Sequence, residues 1–312
     1  MAKKAKKAKE LSLEDILWNC RDILRSKASM ATRRDIILTL VFLKFVGEKR
    51  NKQREVIVQE IRARNERNKG LEGKNPIPED VFLETDFSYM KNGVFSLPVE
   101  CRWETILNTE SNKLALTLDN VVARLDREEK SLRGALPQKI FTDSRIEGKV
   151  LKSLIDEINK ISSEKFHEKD LIGRVYEYFL QAFSINADKE EGEFYTPHSI
   201  VELISALIEP YDGTIYDPCC GSGGMFIQAA KFVEAHGGRR ENVTVFGQES
   251  QPETYRLAKM NLAVRGISAN LGELPVSTFS NDQHKTLKAD YIMANPPFNL
   301  KSGGRNKSCY LM

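Results

Sequence analysis

The sequence predicts an α + α/β protein, with a helical bundle over roughly the first half and a layered sheet of parallel strands crossed by helices after it. Two observations carry this. Apolar residues recur at helical spacing up to about residue 185, and no alternating strand period dominates there. Beyond that point short strand-like runs closed by glycine or proline alternate with amphipathic helices, an order that implies parallel pairing through right-handed crossovers. Size agrees: 312 residues with 41% hydrophobic content can supply a core to each of two domains.

The chain opens on a basic tail, residues 1–10, whose Lys3, Lys4, Lys6, Lys7 and Lys9 leave no apolar region for a signal peptide. There is no apolar run of about eighteen residues either, so the expectation is a soluble protein of the cytoplasm with no membrane partner. A helical domain is expected over residues 11–185. Ser12 can cap a first helix carrying Ile16, Leu17, Cys20, Ile23 and Leu24, and a second carries Ile36, Ile37, Leu40, Val41 and Phe45. Gly70 to Asp80, with Gly73, Pro76 and Pro78, reads as a loop. Helical patterns return over Leu114–Leu132 and Val150–Ile161, and Asp170 opens a helix through Val175, Tyr176, Phe179 and Phe183 that closes the domain.

The net charge of +3 decides little, because both signs are abundant. The basic tail and the stretch Lys44 to Arg54, with Lys49, Arg50, Lys52 and Arg54 against Glu48, can neutralise phosphates, or can be a solvated tail and a polar helix face. Five cysteines at irregular spacing read as reduced thiols. His167, His198, His236 and His284 lack ligand spacing, so no metal is implied.

A polar stretch, Asn186 to Glu193, leads into the second domain, residues 186–312. A helix from about Pro197 to Ile208 precedes a strand at Thr214–Asp217, bounded by Gly213 and Pro218. A glycine-rich loop and a helix through Phe226, Ile227, Ala230 and Val233 follow. The next strand is Val243–Gly247, after which Ser250 and Glu253 are spaced as a capping box for a helix through Tyr255, Ala258 and Leu262. Ala289–Ala294 is a third strand. The whole reads as a Rossmann-like layer sandwich.

Four places in this domain carry chemistry. Asp217-Pro218-Cys219-Cys220-Gly221-Ser222-Gly223-Gly224 lies between strand and helix, where glycines let a ligand lie against bare backbone. Alone, such a loop can also be a nucleotide site or a plain turn. It lacks the Lys-Ser/Thr of a phosphate-binding loop and opens on a carboxylate, which suits the cationic amino group of a methionine moiety. Glu249, at the carboxyl end of the second strand, can accept hydrogen bonds from both hydroxyls of a ribose, or can simply face the positive end of the next helix. Asn295-Pro296-Pro297-Phe298 makes a rigid turn at the end of the third strand. There the Asn295 side-chain carbonyl and the Pro296 backbone carbonyl can accept the two hydrogens of an aromatic amine, aiming its lone pair at a sulfonium methyl. Phe298 can stack on a base flipped out of a duplex. A structural turn with a buried phenylalanine is the competing reading. In Gly192-Glu193-Phe194-Tyr195-Thr196-Pro197, Thr196 can cap the following helix with Pro197 at its first position, or the segment can close over a cofactor.

In this order the segments resemble the methylation subunit of a type I restriction-modification system, a γ-type N6-adenine DNA methyltransferase. In the first half, Leu13-Glu14-Asp15-Ile16-Leu17-Trp18, Leu43-Lys44-Phe45 and Leu132-Arg133-Gly134-Ala135-Leu136-Pro137 resemble that family's helical domain. The resemblance implies a class I methyltransferase domain that transfers methyl from S-adenosylmethionine to a flipped adenine in double-stranded DNA. It implies a specificity subunit, a second methylation subunit and a restriction subunit as partners. Tyr195, Thr196, Pro197, Asp217, Gly221, Ser222, Gly223 and Glu249 would hold the cofactor, and Asn295, Pro296, Pro297 and Phe298 would be catalytic. Related sequences often place a carboxylate near the cofactor adenine; this one has Ser277, with Asp282 a few residues on, so Asp282 takes that place. Methylation of a protein glutamine amide, or assembly without catalysis, are the alternatives. The resemblance also implies further strands after the catalytic motif, for which Lys301 to Met312 is too short. The expectation is a partial catalytic domain, truncated in mid-sheet, with Ala289–Ala294 as an exposed apolar edge and weak or no activity alone.

Overall fold

A computed structural model of the chain describes residues 11–69, 75–83, 89, 94–95, 97–164, 175, 178, 196 and 198–296. The chain divides into two compact units, one of Met1–Leu125 with Gln138–Gln181, the other of Asp126–Pro137 with Ala182–Met312. Residues 126–137, which hold most of the Leu132–Pro137 motif's neighbourhood, thus group with the second unit.

The first unit is helical. Its elements are α1 (Leu13–Ile23), α2 (Met30–Asn68), α3 (Glu79–Leu83), α4 (Trp103–Leu107), the first turns of α5 (Leu114–Glu128), α6 (Ile140–Asp143) and α7 (Gly148–Asn159). Ser12 caps α1 as expected: its hydroxyl accepts the Asp15 N–H while Asp15 Oδ2 accepts the Ser12 N–H. That places Leu13, Ile16, Leu17 and Cys20 inward, against α7. In α2 the run Ile36 to Val46 is buried all round, as a helix packed on several sides must be. Asp119 on α5 accepts the Phe141 and Thr142 N–H groups at 3.1 and 2.9 Å, fixing the start of α6.

The stretch Lys44 to Arg54 divides, with Lys52 and Arg54 exposed and two of its cations turned inward. Lys44 and Arg50 are buried. Lys44 Nζ donates to Glu48 Oε1 at 3.2 Å and Asn159 Oδ1 at 3.1 Å, and the Arg50 guanidinium lies 4.7 Å from the centre of the Tyr89 ring. These cations tie helices together. The basic tail and most of the helix expected from Asp170 lie outside the described residues; Val175 and Tyr178 within it are helical. Among the described residues no helix is long and apolar enough to cross a membrane.

The second unit contains α8 (His198–Ile208), β1 (Gly213–Asp217), α9 (Gly224–Ala235), β2 (Val243–Gly247), α10 (Pro252–Val264), β3 (Ala269–Asn270) and β4 (Tyr291–Ile292). The strands form one parallel sheet in the order β3-β2-β1-β4. Ile215, Val245, Phe226, Ala229, Ala258 and Leu262 are among the side chains of its core. The chain steps from β1 outward through β2 to β3, then returns to the other side of β1, so the strand order switches direction at β1. In a parallel α/β sheet ligands bind outside the carboxyl ends of the strands at that switch. The register makes the crevice level, pairing Asp217 with Gly247.

Three expectations are corrected here. β3 carries no apolar run and was not foreseen; its two residues pair with Val245 and Phe246. The strand expected over Ala289–Ala294 pairs only at Tyr291–Ile292. Beside it the Asp290 carboxylate takes the Thr214 N–H at 2.7 Å, and Pro296 has no N–H to carry the ladder further. Ile292 is 64% exposed on this edge strand. The Ser250–Glu253 capping box does not form: α10 begins after Gln251 with Pro252 in its first turn and no side-chain cap. Ser250 Oγ instead bonds Glu249 Oε1 at 3.3 Å.

Candidate functional site

Asp217 ends β1 and is 2% exposed, its Oδ1 accepting the Cys219 N–H at 2.9 Å. Burial pushes its carboxyl up to about 7, and the nearby Glu249 charge adds to the rise. A buried carboxylate so destabilised is a site for a cation, which would restore its charged form. The loop after it turns back through left-handed backbone at Gly221 (φ 53°) and Gly223 (φ 80°) into α9. A side chain at Gly221 or Gly224 would meet nothing within 4 Å, so both open onto free space. The loop is pinned on its other side by Asn261 Nδ2, which donates to the Ser222 carbonyl at 2.9 Å, and by the Cys220 N–H, which donates to the Gln248 carbonyl at 2.9 Å.

Glu249 follows β2 and is half-buried. Its Oε2 accepts the Gly221 N–H at 3.0 Å and its Oε1 the Gln251 N–H at 2.8 Å. The carboxylate thus clamps the loop and the approach to α10 together. With the Ser250 hydroxyl, also on Oε1, three protein donors are met, which leaves a lone pair on Oε2 for a further donor, since a carboxylate offers about four acceptor positions.

Asn295 is exposed just beyond β4, with Pro296 beside it. Asn295 Nδ2 donates to Thr196 Oγ1 at 3.0 Å. The Cys219 thiol is pushed up to about 12, by burial first and then by Asp217, with the nearby Asn295 backbone acting weakly in the lowering sense. Asp217, Cys219, Asn295 and Thr196 are therefore neighbours. Asp217, Gly221, Ser222, Gly223 and Glu249 are brought together around the loop. Tyr195, Pro197, Pro297 and Phe298 lie outside the described residues.

Asp282 sits in the segment between β3 and β4 that lies across the strand ends. Its Oδ1 accepts the His284 N–H at 2.8 Å, and its charge is among the influences on Tyr216, whose phenol burial pushes up to about 12. What holds this segment is Gln248, which sequence reasoning missed. Gln248 is fully buried; its Nε2 donates to the Asn281 carbonyl at 3.0 Å and its Oε1 accepts the Gln283 N–H at 2.8 Å. Thr278 Oγ1 donates to the Pro218 carbonyl at 2.6 Å, and His284 Nε2 lies 2.9 Å from the Gly247 carbonyl. A long polar side chain at the carboxyl end of an apolar strand, next to Glu249, is the signal that marks Gln248.

Known proteins give this geometry a context. Residues 167–309 match the family model described as N-6 DNA Methylase, and residues 13–158 match that of the HsdM N-terminal domain. The chain is 33% identical over 298 residues to the type I restriction enzyme MjaIX methylase subunit of Methanocaldococcus jannaschii, covering 94% of this chain and 52% of that protein. It is 37% identical over 227 residues to the HindI methylase subunit of Haemophilus influenzae, covering 66% of this chain and 51% of that one. Its fold is similar to the type I restriction-modification system methyltransferase subunit of Streptococcus thermophilus, with a TM-score of 0.62, 21% identity, and 91% of this chain and 62% of that chain covered. The chain spans about half the length of the curated relatives it matches.

Proposed function

Since this chain belongs to the family of type I restriction enzyme methylase subunits, whose N-6 DNA methylase domain implies a methyl donor, we propose that it methylates the N6 amine of adenine in DNA from S-adenosylmethionine. The observation that carries the reading is the buried Asp217 at the mouth of a glycine loop that opens onto free space. These residues fit the cofactor. Asp217 would meet the cationic amino group of its methionine end, the backbone of Gly221, Ser222 and Gly223 would lie along it, and Glu249 would offer its remaining Oε2 lone pair to a ribose hydroxyl. By the resemblance, Tyr195, Thr196 and Pro197 would serve the methionine end and Asp282 the adenine of the cofactor. When bound, S-adenosylmethionine supplies a methyl group on a sulfonium, already activated for direct displacement.

The chain's own groups orient the acceptor. Asn295 Oδ1 and the Pro296 carbonyl accept the two amine hydrogens, which turns the nitrogen lone pair out of the base plane. Phe298 would stack on the flipped adenine and offset part of an unstacking cost of about a few kcal/mol, and Pro297 would stiffen the backbone before it. The reading extends to cytoplasmic double-stranded DNA as substrate and to a specificity subunit, a second methylation subunit and a restriction subunit as partners. In support, a structural neighbour with a TM-score of 0.52 is described in terms of complex assembly of the type I system.

Incubating the chain and its specificity subunit with tritiated-methyl cofactor and duplex DNA, then digesting to nucleosides, tests this. Label is expected in N6-methyladenine. Label in a protein glutamine, or in nothing while the cofactor still binds, would overturn it.

A further inference from the structure

We infer that Thr196 is a positioning residue that holds the Asn295 amide with its Oδ1 left free. The inference rests on the transfer reading above and assigns the Thr196 hydroxyl to the amide rather than to the cofactor. Asn295 is held through its side chain, whose Nδ2 donates to Thr196 Oγ1 at 3.0 Å. The two ends of an asparagine amide are nearly equal in shape and opposite in hydrogen-bonding sense. Only Oδ1 can accept a hydrogen from an aromatic amine. With Nδ2 turned towards the base, two donors would face each other and the lone pair would not be exposed to the methyl. By accepting from Nδ2, Thr196 leaves Oδ1 as the end presented to the amine. The contact joins residues ninety-nine positions apart in sequence, so it also ties the segment before α8 to the turn after β4.

The contact is partly open to water, so losing it costs about one ordinary net hydrogen bond, which corresponds to a roughly tenfold change in rate. Thr196→Val keeps the shape and removes the acceptor; Thr196→Ser keeps the acceptor. In protein labelled with 15N only at asparagine, the Asn295 side-chain amide pair, identified by its loss in Asn295→Asp, should shift in Thr196→Val and stay in place in Thr196→Ser. Thr196→Val should lower kcat for methyl transfer by about tenfold while leaving the Kd for S-adenosylmethionine unchanged, and Thr196→Ser should restore it. Retained cofactor binding shows that the variant is folded. An unmoved amide resonance, or a weakened cofactor Kd with kcat unchanged, would overturn the inference. If the wild-type protein transfers no methyl group, the transfer reading falls, and the amide resonance still decides the contact.

Discussion

Asp217 ties the stability of the site to pH and to the charge of whatever binds it. Its carboxyl is raised from 3.8 to about 7, chiefly by burial. A carboxyl raised on folding contributes stability that is complete below the unfolded value and disappears as pH rises through the folded one. The ligand-free chain should therefore lose stability between about pH 4 and pH 7 on account of this residue. Asp217→Asn removes that dependence, so its Tm relative to wild type should become more favourable between about pH 5 and pH 8 in thermal scans. A cationic ligand acts in the opposite sense: affinity for S-adenosylmethionine should strengthen as pH rises towards 7, with proton release visible in buffers of different ionisation enthalpy. Gly213 makes a purely steric prediction. Its φ is 103°, and a Cβ there would lie 2.6 Å from Asp290 Oδ2, the oxygen that holds the Thr214 N–H. Gly213→Ala should destabilise the protein by about 1–3 kcal/mol in urea denaturation, through strained backbone and displacement of Asp290.

At the scale of elements, the segment between β3 and β4 depends on Gln248. Gln248→Leu keeps the volume but leaves the Asn281 carbonyl and the Gln283 N–H without their buried partner. A loss of about 1–3 kcal/mol is expected, with weaker cofactor binding because the segment carrying Asp282 loosens. Sequence patterns read β1, β2, α1 and α9 correctly because local rules decide them: Ser12 and Asp15 close a capping box on neighbours, and Val243–Gly247 is bounded by polar residues and Gln248. They misread α10 because Glu249, a residue of the site, takes both the Ser250 hydroxyl and the Gln251 N–H. They missed β3 because Ala269 and Asn270 have no strand character of their own and pair only where β2 offers an edge. The burial of Lys44 was not legible for a related reason. Its partner Asn159 lies far along the chain, and no periodicity reports a contact at that distance.

For the whole molecule, the two compact units divide at Gln181 and Ala182 while the two family models divide between residues 158 and 167, and residues 126–137 of the first model group with the second unit. The resemblance was legible because the motifs stand in fixed order on alternating strands and helices. The grouping of Asp217, Cys219, Asn295 and Thr196 was not, since it depends on β1 lying beside β4 in the sheet. The central claim is that this junction holds S-adenosylmethionine through Asp217 and the glycine loop. Isothermal titration of the chain with S-adenosylmethionine, beside Asp217→Ala, tests it most directly. The account predicts one cofactor per chain and at least a roughly tenfold weaker Kd in the variant, the loss of a charge-assisted contact. Absence of binding by the wild type, or equal binding by the variant, would contradict it.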